Sequence, residues 1–160
     1  MHMITDESKR KMSEVFAMNI KKKNRLDTET LMDTEQRPQR FVLIDDDPTF
    51  RAILLRAASI HGVEVDVYES LEDLGAVGLL SRYDVAIIDY DLGALNGIEI
   101  AEYLEILCSN TPMILVSAKD RRANARKWPK SIKQFIPKSM GYAYILEQAE
   151  RWAPKMKRAS

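Results

Sequence analysis

Acidic residues, a hydroxyl and a lysine recur in one kind of place along this chain, directly after short apolar runs. Phe41-Val42-Leu43-Ile44 ends in Asp45, Asp46 and Asp47, Val85-Ala86-Ile87-Ile88 ends in Asp89, Met113-Ile114-Leu115-Val116 ends in Ser117, and Gln134 to Pro137 ends at Lys138. Continuous apolar runs of this length read as strands buried on both faces. In an open parallel sheet the carboxyl ends of the strands border one crevice. Asp45, Asp46, Asp89, Ser117 and Lys138 are therefore expected to converge. Acids packed together raise one another's pKa and cost stability unless a cation sits among them, and hard oxygen ligands suit Mg²⁺. Asp89, held against such an ion, would have an oxygen free to attack phosphorus. Lys138 and the Ser117 hydroxyl would then take up charge on the other phosphoryl oxygens. The product of that chemistry is an aspartyl phosphate.

The elements that must position these groups alternate along the chain. After the first strand, Thr49 is expected to cap a helix carrying Phe50, Ile53, Leu54 and Ala57, which stops at His61-Gly62, where glycine takes the left-handed cap position. Val63, Val65 and Val67 alternate with Glu64 and Asp66 and predict a half-buried second strand. Ser70 and Asp73 open a second helix, expected to be short because Gly75 and Gly78 each cost about 1 kcal/mol against alanine. Ile98, Ala101, Leu104 and Leu107 follow at helical spacing, residues 119–133 are basic and interrupted by Trp128-Pro129, and Tyr142 to Trp152 forms a closing amphipathic helix. Five strands alternating with five helices predict an α/β domain: a five-stranded parallel sheet with helices on both faces and right-handed crossovers.

Residues 1–40 have a different texture. They hold one aromatic residue, Phe16, no glycine, and the basic runs Lys9-Arg10-Lys11 and Lys21-Lys22-Lys23. Met12, Val15, Phe16 and Ile20 lie three and four apart, which predicts a helix over about 8–25 with one narrow apolar stripe. The polar stretch from Asp27 to Arg40, broken by Pro38, reads as a linker. The expected organisation is an extension over 1–40, a folded domain over 41–153 and a basic tail over 154–160. Lys plus Arg equal Asp plus Glu at 24 each, so no overall field draws the protein to nucleic acid or an anionic membrane. The single cysteine, Cys108, rules out an internal disulfide, and the absence of a Cys/His cluster rules out a zinc-finger scaffold. No apolar run approaches the ~20 residues that span a bilayer, and no signal-peptide pattern opens the chain. A reducing, cytoplasmic setting is expected.

The order, spacing and strand context of these residues from about Phe41 to about Trp152 resemble the receiver domain of two-component response regulators, a (βα)5 flavodoxin-like fold. FVLIDDDP resembles the family's first strand and acid pair, which makes Asp45 and Asp46 metal ligands, with Asp47 at a variable place. DVAIIDYDLGALNG resembles the phospho-acceptor segment. The resemblance makes Asp89 the acceptor, Asp91 the residue offering a backbone carbonyl to the ion, and Gly97 the glycine that closes the loop. ILVSA makes Ser117 the switch hydroxyl, and QFIPKS makes Lys138 the conserved-type lysine with Phe135 at the aromatic switch position. Two features depart from the pattern. Ser139 follows Lys138 where the family usually has proline, and Gly93 stands where many members carry proline.

The resemblance implies a Mg²⁺-dependent acceptor that takes a phosphoryl group from a histidine kinase or phosphotransfer protein. With only APKMKRAS after Trp152, output is expected through protein contact, without a DNA-binding domain. Residues 119–133 carry seven positive charges against Asp120. They read either as a solvated face or as a docking surface for an acidic partner. The N-terminal stripe leaves four readings open: a loose tail, a homodimer contact, a docking helix, or attachment to an anionic surface. His2 and His61 are given no chemical role. Two rival classes remain. A receiver-like module could signal without phosphate, and a haloacid-dehalogenase-type phosphatase also forms an aspartyl phosphate. The phosphatase is disfavoured because Asp45 and Asp46 lie upstream of Asp89 and no acidic strand end follows Lys138.

Overall fold

Alternate residues of a strand face opposite ways, and in the central strands both directions are apolar, so each strand must be covered twice. The computed structural model, which describes residues 6–26, 38–75, 81–93, 95–107, 110–119 and 128–155, meets that demand. Strands β1 (Arg40–Ile44), β2 (Glu64–Tyr68), β3 (Val85–Asp89), β6 (Met113–Ser117) and β7 (Ile132–Pro137) form one sheet in the order β2-β1-β3-β6-β7. Every pairing in it is parallel. Between β3 and β6 lie a small antiparallel hairpin, β4 (Asp91–Leu92) with β5 (Leu95–Asn96), and helix α3 (Gly97–Leu107).

One face of the sheet, with Phe41, Leu43, Val85, Ile87, Ile114, Val116 and Ile136, packs on helices α2 (Pro48–His61) and α4 (Tyr142–Trp152) through Phe50, Leu54, Ala58, Ile145, Leu146 and Ala149. The other, with Val42, Ile44, Ala86, Ile88, Met113 and Leu115, packs on Ile100, Ala101 and Leu104 of α3. The N-terminal helix α1 (Asp6–Leu26) also reaches this second layer, since Met12 and Val15 pack against it.

Three local expectations are corrected. The N-cap of α2 is Asp47, whose side chain accepts from the backbone N–H groups of Thr49 and Phe50, and not Thr49. The reason is Pro48: proline belongs at the first helical position because its missing N–H is not needed there, which places the cap at the residue just before it, Asp47. The expected helix after Ser70 is a turn over Leu71–Leu74, ending at Gly75 with φ +77°, although the Asp73 N–H does donate to Ser70 Oγ at 3.2 Å. Its continuation through Gly78 lies outside the described residues. The fifth strand of the sheet starts at Ile132, two residues before its expected start. Of the expected linker from Asp27 to Arg40, residues 27–37 lie outside the described residues and Arg40 already belongs to β1, and most of the basic segment, 120–127, also lies outside them.

The entry to β1 is tied down by a half-buried polar cluster around the buried Tyr83. The Tyr83 hydroxyl donates to Asp66 Oδ2 at 2.6 Å, Arg40 pairs with the same carboxylate at 3.0 Å, and the Arg40 guanidinium lies 5.5 Å above the Tyr83 ring. Burial, and then the Asp66 carboxylate, push the Tyr83 phenol well above its ordinary value, so it stays a donor. Tyr83→Phe removes a charge-assisted hydrogen bond and is expected to lower unfolding free energy by about 1.5 kcal/mol, read as a shifted midpoint at unchanged slope in urea titration.

Candidate functional site

The strand order reverses direction between β1 and β3, and crevices in such sheets open at that switch, beyond the carboxyl ends of the strands. Asp45 follows β1 there, and Asp89 is the last residue of β3. Asp45 is fully buried, and its place is over-determined. Its N–H donates to the Tyr68 carbonyl at 3.0 Å, its carbonyl accepts from Arg51 at 2.7 Å, and its Oδ1 accepts the Asp47 N–H at 2.8 Å. Asp46 is exposed beside it. Carboxylate oxygens of Asp45, Asp46 and Asp89 all lie within 4.8 Å of one another.

Lys138, just past β7, points its ammonium into this group. Nζ lies 2.6 Å from Asp45 Oδ2 and 3.6 Å from Asp89 Oδ2. No conventional hydrogen bond reaches Asp45 Oδ2, but at 2.6 Å from an ammonium it is an ion-paired oxygen and not an orphaned one. The same Nζ sits 4.3 Å from the centroid of the Phe50 ring, which in turn lies 5.1 Å from that of Tyr142. An aromatic face attracts a cation and holds its stem, so Phe50 aims the lysine. After Lys138 the chain makes a 3-10 turn through Ser139 and Met140, and Gly141 at φ +91° starts α4.

The loop after Asp89 is held just as firmly. Tyr90 donates to the Val116 carbonyl at 2.8 Å, and Gly97 N–H donates to the Tyr90 carbonyl at 2.6 Å. A Cβ on Gly97 would stand 2.9 Å from the Tyr90 Cα and 3.0 Å from the Asp89 carbonyl, so only glycine fits this approach. Asn96 and Glu99 cap α3 reciprocally: Asn96 Oδ1 accepts from Ile98 and Glu99 N–H, and Glu99 Oε2 accepts from Asn96 N–H, each at 3.0 Å. Ser117, fully buried at the end of β6, donates its hydroxyl to Asp91 Oδ2 at 3.3 Å and accepts the Lys119 N–H at 3.1 Å.

The structure thus gathers Asp45, Asp46, Asp89 and Lys138 and links Ser117 to Asp91. Phe135 is set apart, in the apolar layer beneath α3, with its ring 5.8 Å from Trp128. Sequence reasoning missed Phe50, Arg51, Asn96 and Glu99 as parts of the frame. The Asn-x-x-Glu spacing was a legible signal of a cap, whereas nothing local to Phe50 or Arg51 says that they touch the site.

Crowding sets the electrostatics. Asp89 is pushed up to about 7, first by burial and then by the Asp45 charge, against the lowering pull of Lys138 and the Asp91 N–H. For Lys138, burial works to lower the value, but Asp45 and then Asp89 outweigh it and hold the ammonium charged above its ordinary range. The arrangement is a buried carboxylate with a fixed cation beside it and three carboxylates around a space that suits a hard divalent ion.

Comparison with known proteins agrees with this geometry. Residues 41–150 match the family model described as the response regulator receiver domain. The regulatory protein VirG of Rhizobium rhizogenes is 33% identical over 86 residues, covering 54% of this chain and 35% of that protein. The probable transcriptional regulatory protein NarL of Mycobacterium tuberculosis is 33% identical over 86 residues, covering 52% of this chain and 40% of that protein. The matched stretch therefore spans well under half of those relatives' length. Among solved structures, the response regulator TrrA of Thermotoga maritima, in complex with Mg²⁺ and BeF, superposes with a TM-score of 0.62 at 21% identity, covering 71% of this chain and 98% of that one. At that identity the likeness speaks for the fold.

Proposed function

Since the chain belongs to the response regulator receiver domain family, we propose that Asp89 is its phospho-acceptor, served by Lys138 and Ser117 with Mg²⁺ held by Asp45, Asp46, Asp89 and the Asp91 carbonyl. A receiver is a signalling domain of two-component systems. The observation that carries the residue roles is the convergence of three carboxylates, one at the end of β3 and two beyond β1, on a lysine 2.6 Å and 3.6 Å from two of them.

In the reaction a carboxylate oxygen of Asp89 attacks the phosphorus of a phosphorylated histidine or a small phosphodonor. The new P–O bond forms as the bond to the donor breaks, and the leaving group takes a proton from solvent. Lys138 turns from Asp45 toward the incoming phosphoryl oxygens. Bound Mg²⁺ supplies positive charge to those same oxygens. The phosphoryl group carries about −1.5 to −2 charge. For Ser117 to reach it, the hydroxyl gives up its bond to Asp91. That exchange, with Phe135 as the aromatic switch, biases a two-state domain. Donation by a histidine kinase or phosphotransfer protein, output by protein contact, and the division into an extension over 1–40, a receiver over 41–153 and a tail over 154–160 belong to the same reading. So do docking of an acidic partner on the 119–133 face and a cytoplasmic setting. Among the described residues no helix is long and apolar enough to cross a membrane.

The raised value of Asp89, about 7, makes ion binding pH-dependent. A carboxyl whose folded pKa exceeds its unfolded one binds a proton on folding, so its contribution to stability falls as pH rises from about 4 to about 7. An ion that requires the carboxylate competes with that proton. Mg²⁺ is therefore expected to raise Tm clearly near pH 8 and little near pH 5.5, with proton release on binding near pH 6.5. Calorimetric titration in two buffers of different ionisation enthalpy reads the protons, and Asp45→Asn should abolish both effects. Equal stabilisation at the two pH values in the wild type would remove Asp89 from the ion site.

A further inference from the structure

The Met12 and Val15 stripe is not spare surface. Both side chains pack against the apolar layer that holds Leu71, Tyr90 and Ile100, and Leu92 and Leu95 of the hairpin pack against the same layer. Ser8, Lys11 and Met12 then form one wall of a cavity of about 390 Å³, whose other walls include Asp46, Leu71 and Gly93. Asp46 belongs to the loop that carries the proposed ion ligands, and Gly93 to the loop that follows the acceptor. Charge favours the same seating, since Lys11 shares the cavity with Asp46, Glu69 and Glu72. Arg10 pairs with Glu14 on the solvent side at 3.5 Å, both largely exposed, and Met18 is 67% exposed. The helix thus has an inner face that meets the domain and an outer face that meets water.

We propose that α1 is an intramolecular cover, docked on its own domain through Met12 and Val15, that restricts loading of the Asp89 site until it lifts. This rests on the receiver reading of Asp89. Docked, the helix restrains the Asp46 and Gly93 loops and closes one flank of the crevice, because a helix with side chains is about 10–12 Å across. A donor must bring its phosphorus within about 3–3.5 Å of Asp89. When only the uncovered fraction can react, the observed rate falls by that fraction.

The test compares the 160-residue protein with Met12→Asp/Val15→Asp and with Met18→Asp, which makes the same kind of change further along the same helix at a side chain that is 67% exposed. Amide hydrogen exchange, without donor, reads docking, and the rate of acetyl phosphate labelling in Mg²⁺ reads gating. The inner-face variant is expected to exchange faster over residues 8–16 and around Leu92, and to label about three- to tenfold faster, with Met18→Asp close to wild type. Fast exchange over residues 8–16 already in the wild type would overturn the docking. Faster exchange with an unchanged labelling rate, or equal acceleration in Met18→Asp, would overturn the gating. If no protein gains a phosphoryl group while the inner-face variant alone exchanges faster, it is the receiver reading that fails, and the cover loses the reaction it was proposed to restrict.

Discussion

Lys138→Ala is expected to slow acetyl phosphate labelling of the protein by about 10²- to 10³-fold, the usual effect of removing a preorganised charge aimed at a transition state. Lys138 is the cation that the structure places on these carboxylates, 2.6 Å from Asp45 and 3.6 Å from Asp89. It does two things at once. It offsets the mutual repulsion of the acids in the resting site, and in the proposed reaction it meets the phosphoryl oxygens as they arrive. Without it the raised value of Asp89, already about 7, loses its main lowering influence and climbs further. The pH dependence of labelling should then move upward, a signature that a merely unfolded variant would not give. Lys138→Arg keeps the charge but replaces a compact ammonium with a wider plane above Phe50, so partial recovery is expected. Wild-type labelling in the alanine variant would take Lys138 out of the reaction.

The second large effect is expected from Gly97→Ala, which touches no reacting group. The added methyl would stand 2.9 Å from the Tyr90 Cα and 3.0 Å from the Asp89 carbonyl, both backbone atoms of the acceptor segment. They can move only by shifting Asp89 itself. Overpacking of this kind costs about 1–3 kcal/mol. Because the displaced atoms carry the proposed nucleophile, labelling should fall by more than the loss of folded protein explains. Gly93→Ala is the control. Gly93 has φ +60°, but nothing lies within 4 Å of its Cβ position, so its cost is backbone strain of about 1–2 kcal/mol without a push on Asp89. Equal labelling losses in the two variants, corrected for folded fraction by circular dichroism, would mean that loop flexibility and not the Gly97 approach governs the site.

The parallel sheet was legible because buried strands announce themselves as apolar runs, and the runs ending in Asp45, Asp89 and Ser117 each stop at a polar residue where the strand meets the crevice. Family membership followed from the same spacing, and the upstream Asp45 and Asp46 separated it from a phosphatase. The chain was less legible where partners are distant in sequence. Phe50 reads as ordinary core filling until Lys138, 88 positions later, is found above its ring. The hydroxyl of Ser117 could be placed at a strand end, but its bond to Asp91 depends on how a hairpin folds back. Helix ends failed for a local reason: Pro48 shifts the cap to Asp47, and Gly75 ends a turn where a helix was expected. The apolar stripe of α1 could be recognised from its period alone, yet a period says that a face will be buried without naming what buries it.

The central claim is that Asp89 accepts a phosphoryl group. Intact mass measured after incubation with Mg²⁺ and acetyl phosphate tests it directly, with Asp89→Ala alongside. One added phosphoryl mass in the wild type, lost on mild alkaline treatment as an acyl phosphate and absent from the variant, is the predicted result. No adduct in folded wild-type protein that binds Mg²⁺, or an adduct that persists in Asp89→Ala, would contradict it.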